Sequence, residues 1–230
     1  MLSTLEIITA EYNAALFDTD REQALRTARR ALDEGLTAED VVFKLVIPGI
    51  ELMMKAISED FDANLAQHFM TAQIAAQVTE EMLPLFKTPP EIIGRVVIGT
   101  AKGDLHSLGK RIVIGCLRSM MVEAIDLGVN VPAERFVREA VARDAQVIGI
   151  SAMMMHTADG PDGCRAVRAL LDKEGLRDRI KIAVGGAPFR FSPDLYSAVG
   201  ADAWAADGVT AGRVIADLIR SVRPAREVRS

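Results

Sequence analysis

Five short apolar runs, "RVVIGTA" from Arg95, "MVEAIDLG" from Met121, "QVIGISAM" from Gln146, "IKIAVGG" from Ile180 and "AWAADG" from Ala203, recur with helical segments between them. No other feature restricts the fold as much. Parallel neighbouring strands need a crossover of a dozen or more residues, so this rhythm predicts one five-stranded parallel sheet covered by helices. Ligands of such open sheets bind beyond the C-terminal ends of the strands. Asp104 and His106, Ser151, and Gly185 with Gly186 all fall at that edge.

Upstream the period changes, and residues 1 to about 87 read as helices only. The stretches Thr19 to Glu22 and Thr37 to Asp40 each offer a side-chain oxygen cap with an acid three residues on, which marks a helix start. Between them Ala24, Leu25, Ala28, Ala31 and Leu32 repeat with helical spacing, and Gly35 sits where a C-terminal stop belongs. A third helix is expected after Thr37, bent or broken near Pro48-Gly49. A fourth is expected from about Phe61 to Phe86, with Leu65, Phe69, Ala72, Ala76 and Leu83 on one face. Together they predict a small four-helix bundle. The stretch Lys87 to Glu91, "KTPPE", ends it, because consecutive prolines favour an extended connector. The expected organisation is a helical-bundle domain over 1–88, an α/β domain over 92–223 and a frayed C-terminal tail, 224–230.

The formal charge of −5 is unevenly spread, with 15 acids against 7 bases in residues 1 to 90. Nucleic acid is excluded as an expected partner, since phosphate contacts need clustered Lys and Arg. No apolar run reaches the roughly 18 residues that span a bilayer, and Glu6 and Glu11 stand where a secretion signal needs a basic start. The expectation is a cytoplasmic chain with no membrane partner. Cys116 and Cys164 have no metal-ligand spacing and are expected as buried free thiols. Neither GxGxxG nor GxxxxGK[ST] occurs, so phosphate binding through those loops is not supported.

The chemistry concentrates just past the first strand, in Gly103-Asp104-Leu105-His106-Ser107-Leu108-Gly109. A carboxylate two residues from a histidine can take the proton of one imidazole nitrogen and leave the other as an oriented lone pair, as in metal-binding histidines. An ordinary loop histidine held by a local hydrogen bond has the same local sequence. Ser107 can cap the helix that follows, and Gly109 allows close approach.

The wider pattern resembles the cobalamin-binding signature Asp-x-His-x-x-Gly, Ser-x-Leu, Gly-Gly. Here it reads Asp104 to Gly109, then Ser151-Ala152-Met153 after 41 intervening residues, then Gly185-Gly186. The helical stretch "EGLTAEDVVFKLVIPGIELM" is similar to the cap of corrinoid proteins of methyltransferase systems, so the resemblance covers nearly the whole chain. It implies an α + α/β fold, a four-helix cap followed by a Rossmann-like (flavodoxin-like) sheet domain, with cobalamin as cofactor. His106 is then the axial cobalt ligand, Asp104 bonds its other nitrogen, and Ser151 extends the relay to Asp104. Gly109, Gly185 and Gly186 leave room for the nucleotide tail. Gly103, Leu105, Ser107, Met153 and Thr157 complete the expected contacts, with Asn64 and Leu65 from the cap.

The implied function is that of a methyl carrier between a substrate-specific methyltransferase and a second, acceptor methyltransferase, whose acceptor is a folate or a thiol. A reductive activase is a further expected partner, and the chain is not expected to catalyse alone. The alternative class is a cobalamin sensor or a cofactor-storage and delivery protein. Several positions depart from the family pattern. Met153 replaces Leu, a volume-conserving change; Ser107 replaces a common Asp; methionines at 154 and 155 leave Thr157 as the hydroxyl available to the tail. Asn64 and His68 stand where relatives have aromatics above the ring.

Overall fold

A glycine ends the second helix as its position predicts. Gly35 takes φ +95°, and the Leu36 N–H reaches back to the Ala31 carbonyl at 2.9 Å. The computed structural model describes residues 3–57, 65–87 and 92–222; Asn64, the Pro89-Pro90 connector and the tail 224–230 lie outside the described residues. The chain divides into two units: the residues before Ile92, with which Gly115–Met121 group, and the remainder, Ile92–Ile114 with Val122 onward.

The helical unit opens with α1 (Thr4–Phe17), capped reciprocally by Ser3 and Glu6, and continues with α2 (Arg21–Asp33). The α2 cap differs from expectation. Asp20, one residue after Thr19, accepts the Gln23 N–H at 2.9 Å. Thr19 instead turns the short link between the helices at φ +54°. The capping box at Thr37 does form: Asp40 N–H donates to Thr37 Oγ1 at 3.1 Å and Thr37 N–H to Asp40 Oδ2 at 3.2 Å.

From there α3 (Ala38–Asp40), a π-helical segment (Val41–Val46) and α4 (Ile47–Ile57) follow without interruption. The irregularity therefore precedes Pro48 rather than falling at Pro48-Gly49. Proline lacks an N–H and its ring pushes on the preceding turn, and the wider turn accommodates this, with Ile47 N–H bonding Val42 O. The last helix, α5 (Leu65–Met82), gives way to a 3₁₀ turn at Leu83–Leu85 instead of running to Phe86, because Pro84 cannot continue it. Ala72, Ile74, Ala75, Val78 and Met82 of α5 are buried, as are Ile8, Tyr12, Leu16, Ala24 and Ala28 of α1 and α2.

The Asp40 carboxyl is held at about 2, first by the Lys44 ammonium and then by the Thr37 N–H and hydroxyl. A depressed native value contributes stability above the ordinary value of 3.8 that is lost as pH falls toward 2. Asp40→Asn is therefore expected to flatten the loss of melting temperature between pH 5 and pH 2. An unchanged slope in thermal melts would refute this.

From Gly94 onward β1 (Gly94–Thr100), α6 (Leu108–Ser119), β2 (Val122–Asp126), α7 (Ala133–Ala142), β3 (Val147–Ser151), α8 (Met155–Asp159), α9 (Cys164–Lys173), β4 (Lys181–Gly185), α10 (Ala187–Phe191), α11 (Leu195–Ala198), β5 (Ala203–Ala205) and α12 (Gly208–Val222) alternate as the sequence predicts. All strands are parallel, in the order β2-β1-β3-β4-β5. Val97, Ile148, Ile150, Ile182 and Val184 pack with Phe136, Val167, Leu171 and Phe189 on one face. α12 covers the other, its Ile219 lying against Gly94.

Both cysteines are buried and neither is in a disulfide, and burial pushes the Cys164 thiol up to about 12. No helix among the described residues is long and apolar enough to cross a membrane.

Candidate cofactor site

The strand order reverses between β1 and β3, and the register brings Thr100, Ser151, Gly185 and Ala205 into one row across the sheet. The three separated sequence elements thus become neighbours at the switch point, where open α/β sheets place ligands. Ala101 leads out of β1, and a turn with Gly103 at φ +81° delivers Asp104 and His106 just ahead of α6.

Asp104 is fully buried and accepts four hydrogen bonds. Its Oδ1 takes the His106 N–H at 2.9 Å and the His106 Nδ1 at 2.8 Å; its Oδ2 takes the Met153 N–H at 2.7 Å and the Thr157 hydroxyl at 3.2 Å. Burial pushes the carboxyl up, but the Met153 and His106 N–H groups, the ring and the Thr157 hydroxyl together outweigh it and hold the group below its ordinary value. A carboxylate can only accept, so Nδ1 of His106 carries a proton, and in the neutral ring Nε2 is the lone pair. The His106 side chain is 60% exposed, which keeps that lone pair within reach of a ligand.

This geometry revises one expected role. The hydroxyl reaching Asp104 belongs to Thr157, on α8, in place of that of Ser151. Thr157 is buried, and its single hydroxyl proton is shared between the Met154 carbonyl at 2.8 Å and Asp104 Oδ2 at 3.2 Å, so the hydroxyl is engaged here rather than free for the tail. Ser151 contributes its carbonyl, which takes the Ala101 N–H at 2.9 Å. Gly186, at φ +120°, lies so close to Ala152 that its missing side chain serves the packing of adjacent strand ends. Gly109 faces open space, and Gly103 and Gly185 are nearly as free. Ser107 directly precedes α6 and its carbonyl takes the Arg111 N–H. Leu65 opens α5 in the other unit.

Four residues that the motif does not contain also shape the site. Thr100 Oγ1 donates to the His106 carbonyl at 2.9 Å, and Asn130, from the loop after β2, bonds both Gly103 and Asp104. Lys110 on α6 is buried against Asp126 at the end of β2. The run "GVNVP" signals a turn, but nothing in it shows which loop Asn130 faces.

The loops that carry His106 and follow β3 expose Leu105 at 72%, Met155 at 52%, Met153 at 40% and Leu108 at 38%, alongside the polar side chains of Lys102 and His156. Among the described residues no three His, Cys, Asp or Glu side chains gather as a metal-binding group. A bare imidazole nitrogen, one protein ligand, an apolar collar and the opening at Gly109 suit a metal that arrives already held in a large macrocycle, whose edges the collar can cover.

The profile of the B12 binding domain family matches residues 94–215. Trimethylamine corrinoid protein 1 of Methanosarcina acetivorans is 30% identical over 96% of this chain and 98% of its own length. The chain belongs to the B12-binding corrinoid proteins. Dimethylamine corrinoid protein 3 of the same organism is 33% identical over 81% of this corrinoid protein and 86% of its own length. The solved methanol:cobalamin methyltransferase complex MtaBC from Methanosarcina barkeri superposes with TM-score 0.72 at 21% identity, covering 93% of this chain and 80% of that one; the likeness shows the fold. The cofactor of this corrinoid protein is cobalamin, and the site at the β1 and β3 ends fits it.

Proposed function

We propose that this corrinoid protein carries a methyl group from a methylamine-type or methanol-type donor to an acceptor, between two separate methyltransferases, and that His106 would hold the cobalt of its cofactor. The observation that carries the reading is the buried Asp104 carboxylate 2.8 Å from His106 Nδ1, which in the neutral ring leaves Nε2 as the lone pair for a metal. Bound cobalamin supplies a cobalt centre that can take a methyl group from a donor and release it to an acceptor.

The protein's own part is to orient and to shield. Asp104 fixes the tautomer and rotation of the imidazole and raises its basicity as a ligand. Thr157 and the Met153 N–H hold the second oxygen of Asp104, so the carboxylate cannot swing away from the ring. Leu105, Leu108, Met153 and Met155 offer apolar cover for the ring edges, and Gly109 keeps the approach open. The names of its relatives support a methylamine-type donor enzyme as first partner; a folate or thiol methyltransferase as second partner and a reductive activase complete the proposal.

The test is the visible spectrum of the full chain reconstituted with methylcobalamin, wild type beside His106→Ala. The wild type is expected to be histidine-on and the variant histidine-off. An unchanged spectrum in the variant would remove His106 as the ligand. Transfer to or from the loaded wild type by methylamine-specific methyltransferases then separates a carrier from a storage or sensor protein, which would bind cobalamin but exchange no methyl group.

A further inference from the structure

We infer that Asn130 is a positioning residue for the cobalamin-ligating His106, acting through the backbone of Gly103 and Asp104. The inference rests on the assignment of His106 proposed above and adds to it a residue outside the signature.

Asn130 meets the histidine loop twice. Its Oδ1 accepts the Gly103 N–H at 2.8 Å, and its own N–H donates to the Asp104 carbonyl at 3.0 Å. The two bonds bracket the backbone on both sides of the Asp104 α-carbon, at a turn where Gly103 is itself left-handed. Asn130 has φ +53°, a conformation that asparagine tolerates better than most residues and that lets side chain and main chain face the same loop.

The clamp is anchored. Gly128 N–H donates to Asp126 Oδ1 at 2.7 Å, Gly128 O takes the Thr100 N–H at 3.0 Å, and Val131 N–H donates to Thr100 O at 2.9 Å. Asp126 also pairs with the buried ammonium of Lys110, on the helix that begins two residues after His106. The connection between β2 and α7 therefore pins the histidine loop on both flanks, upstream through Asn130 and downstream through Lys110.

Asp104 makes four bonds from a fully buried side chain, so a small shift of its α-carbon moves the acceptor away from His106 Nδ1. Without the Asn130 side chain the Gly103 N–H loses its partner and the turn gains freedom, while most of the strand-end packing stays in place. The ring then samples the other tautomer, in which Nε2 carries the proton and cannot bind a metal.

The experiment compares wild type, Asn130→Ala, Asn130→Gly and Asn130→Asp as full-length chains. In the cofactor-free protein, long-range ¹H–¹⁵N correlation at one neutral pH reads which nitrogen of His106 is protonated, with His106→Gln assigning the signals. After reconstitution, the methylcobalamin spectrum reads the histidine-on fraction.

Wild type is expected to be protonated at Nδ1. Asn130→Ala and Asn130→Gly are expected to show mixed tautomers, a lower histidine-on fraction and methylcobalamin binding weakened about tenfold, the low end for residues that orient a metal ligand. Asn130→Asp is expected to restore both readouts, because its carboxylate accepts the Gly103 N–H and aspartate also tolerates the left-handed region. Asn130→Gly keeps that conformation accessible should Asn130→Ala fold poorly.

A wild-type tautomer and spectrum in a folded Ala or Gly variant, whatever its melting temperature, overturns the inference, and so does failure of Asn130→Asp to rescue. If His106→Ala leaves the wild-type methylcobalamin spectrum unchanged, the ligand assignment fails on its own. The cofactor-free tautomer then still decides whether Asn130 sets the Asp104–His106 pair.

Discussion

Asp104→Ala is expected to lower the stability of the cofactor-free protein by about 1–3 kcal/mol and to abolish histidine coordination of bound cobalamin. Truncation removes the acceptor for the Met153 N–H and for the His106 N–H, while the Thr157 hydroxyl keeps the Met154 carbonyl at 2.8 Å. Each unsatisfied buried donor costs roughly 1–3 kcal/mol. The ring loses its orienting partner in the same step, so binding and stability fall together.

Asp104→Asn separates the effects. Its one oxygen can still face His106, but its amide group then points at the Met153 N–H, a donor against a donor. An intermediate loss is expected. The pH dependence follows from the lowered Asp104 value: stability from the carboxylate is complete above the ordinary value of 3.8 and is lost as pH falls through the lower native one. Wild type should therefore lose more stability on acidification than Asp104→Asn. Denaturant unfolding at pH 7 and pH 3 measures both, and an Asp104→Ala protein as stable as wild type at pH 7 would contradict this account of the site.

What was legible in the sequence was whatever depends on chain order and period. The five apolar runs specify the parallel strands, because each strand and its crossover are local. The register that lines up Thr100, Ser151 and Gly185 follows once the strands pair, so three spaced motifs could be read as one edge. Partners across loops were not legible. Thr157 rather than Ser151 reaches Asp104 because α8 turns back over the β1 end, and no spacing encodes that path. Asn130 lies 26 positions beyond Asp104 in a stretch that reads only as a turn. Near the N-terminus the error was of one residue: Thr19 and Asp20 are both good caps, and the tightness of the α1–α2 link assigns the cap to Asp20 and the left-handed turn to Thr19. The π-helical segment has a legible cause, Pro48, but its upstream position depends on how the wider turn packs.

The glycines of the signature should separate by experiment into two kinds. A β-carbon on Gly186 would stand 1.9 Å from the Ala152 carbonyl oxygen and 2.8 Å from its carbon, both backbone atoms of the neighbouring strand end, and φ +120° is strained for any side chain. The β3 and β4 ends are joined there by the Ala152 N–H to Gly185 carbonyl bond at 3.0 Å, so relief requires parting the strands. Gly186→Ala is expected to lose more than about 4 kcal/mol, a fall in melting temperature of roughly 10 °C or more, or to leave the protein insoluble.

Gly109 has nothing within 4 Å of the same construction and lies in the first turn of α6, where alanine favours helix by about 0.5–1 kcal/mol. Gly109→Ala should therefore melt at or slightly above the wild-type temperature while binding methylcobalamin more weakly, because on the proposed placement of the cofactor the added methyl group enters its space. Thermal melts and spectroscopic titration of the two variants decide the matter. A stable Gly186→Ala protein would show that the strand ends can part freely, and a Gly109→Ala protein with unchanged affinity would move the cofactor away from the start of α6. The two outcomes are independent because Gly186 is fixed by backbone atoms of the neighbouring strand end, whereas nothing in the protein itself crowds Gly109.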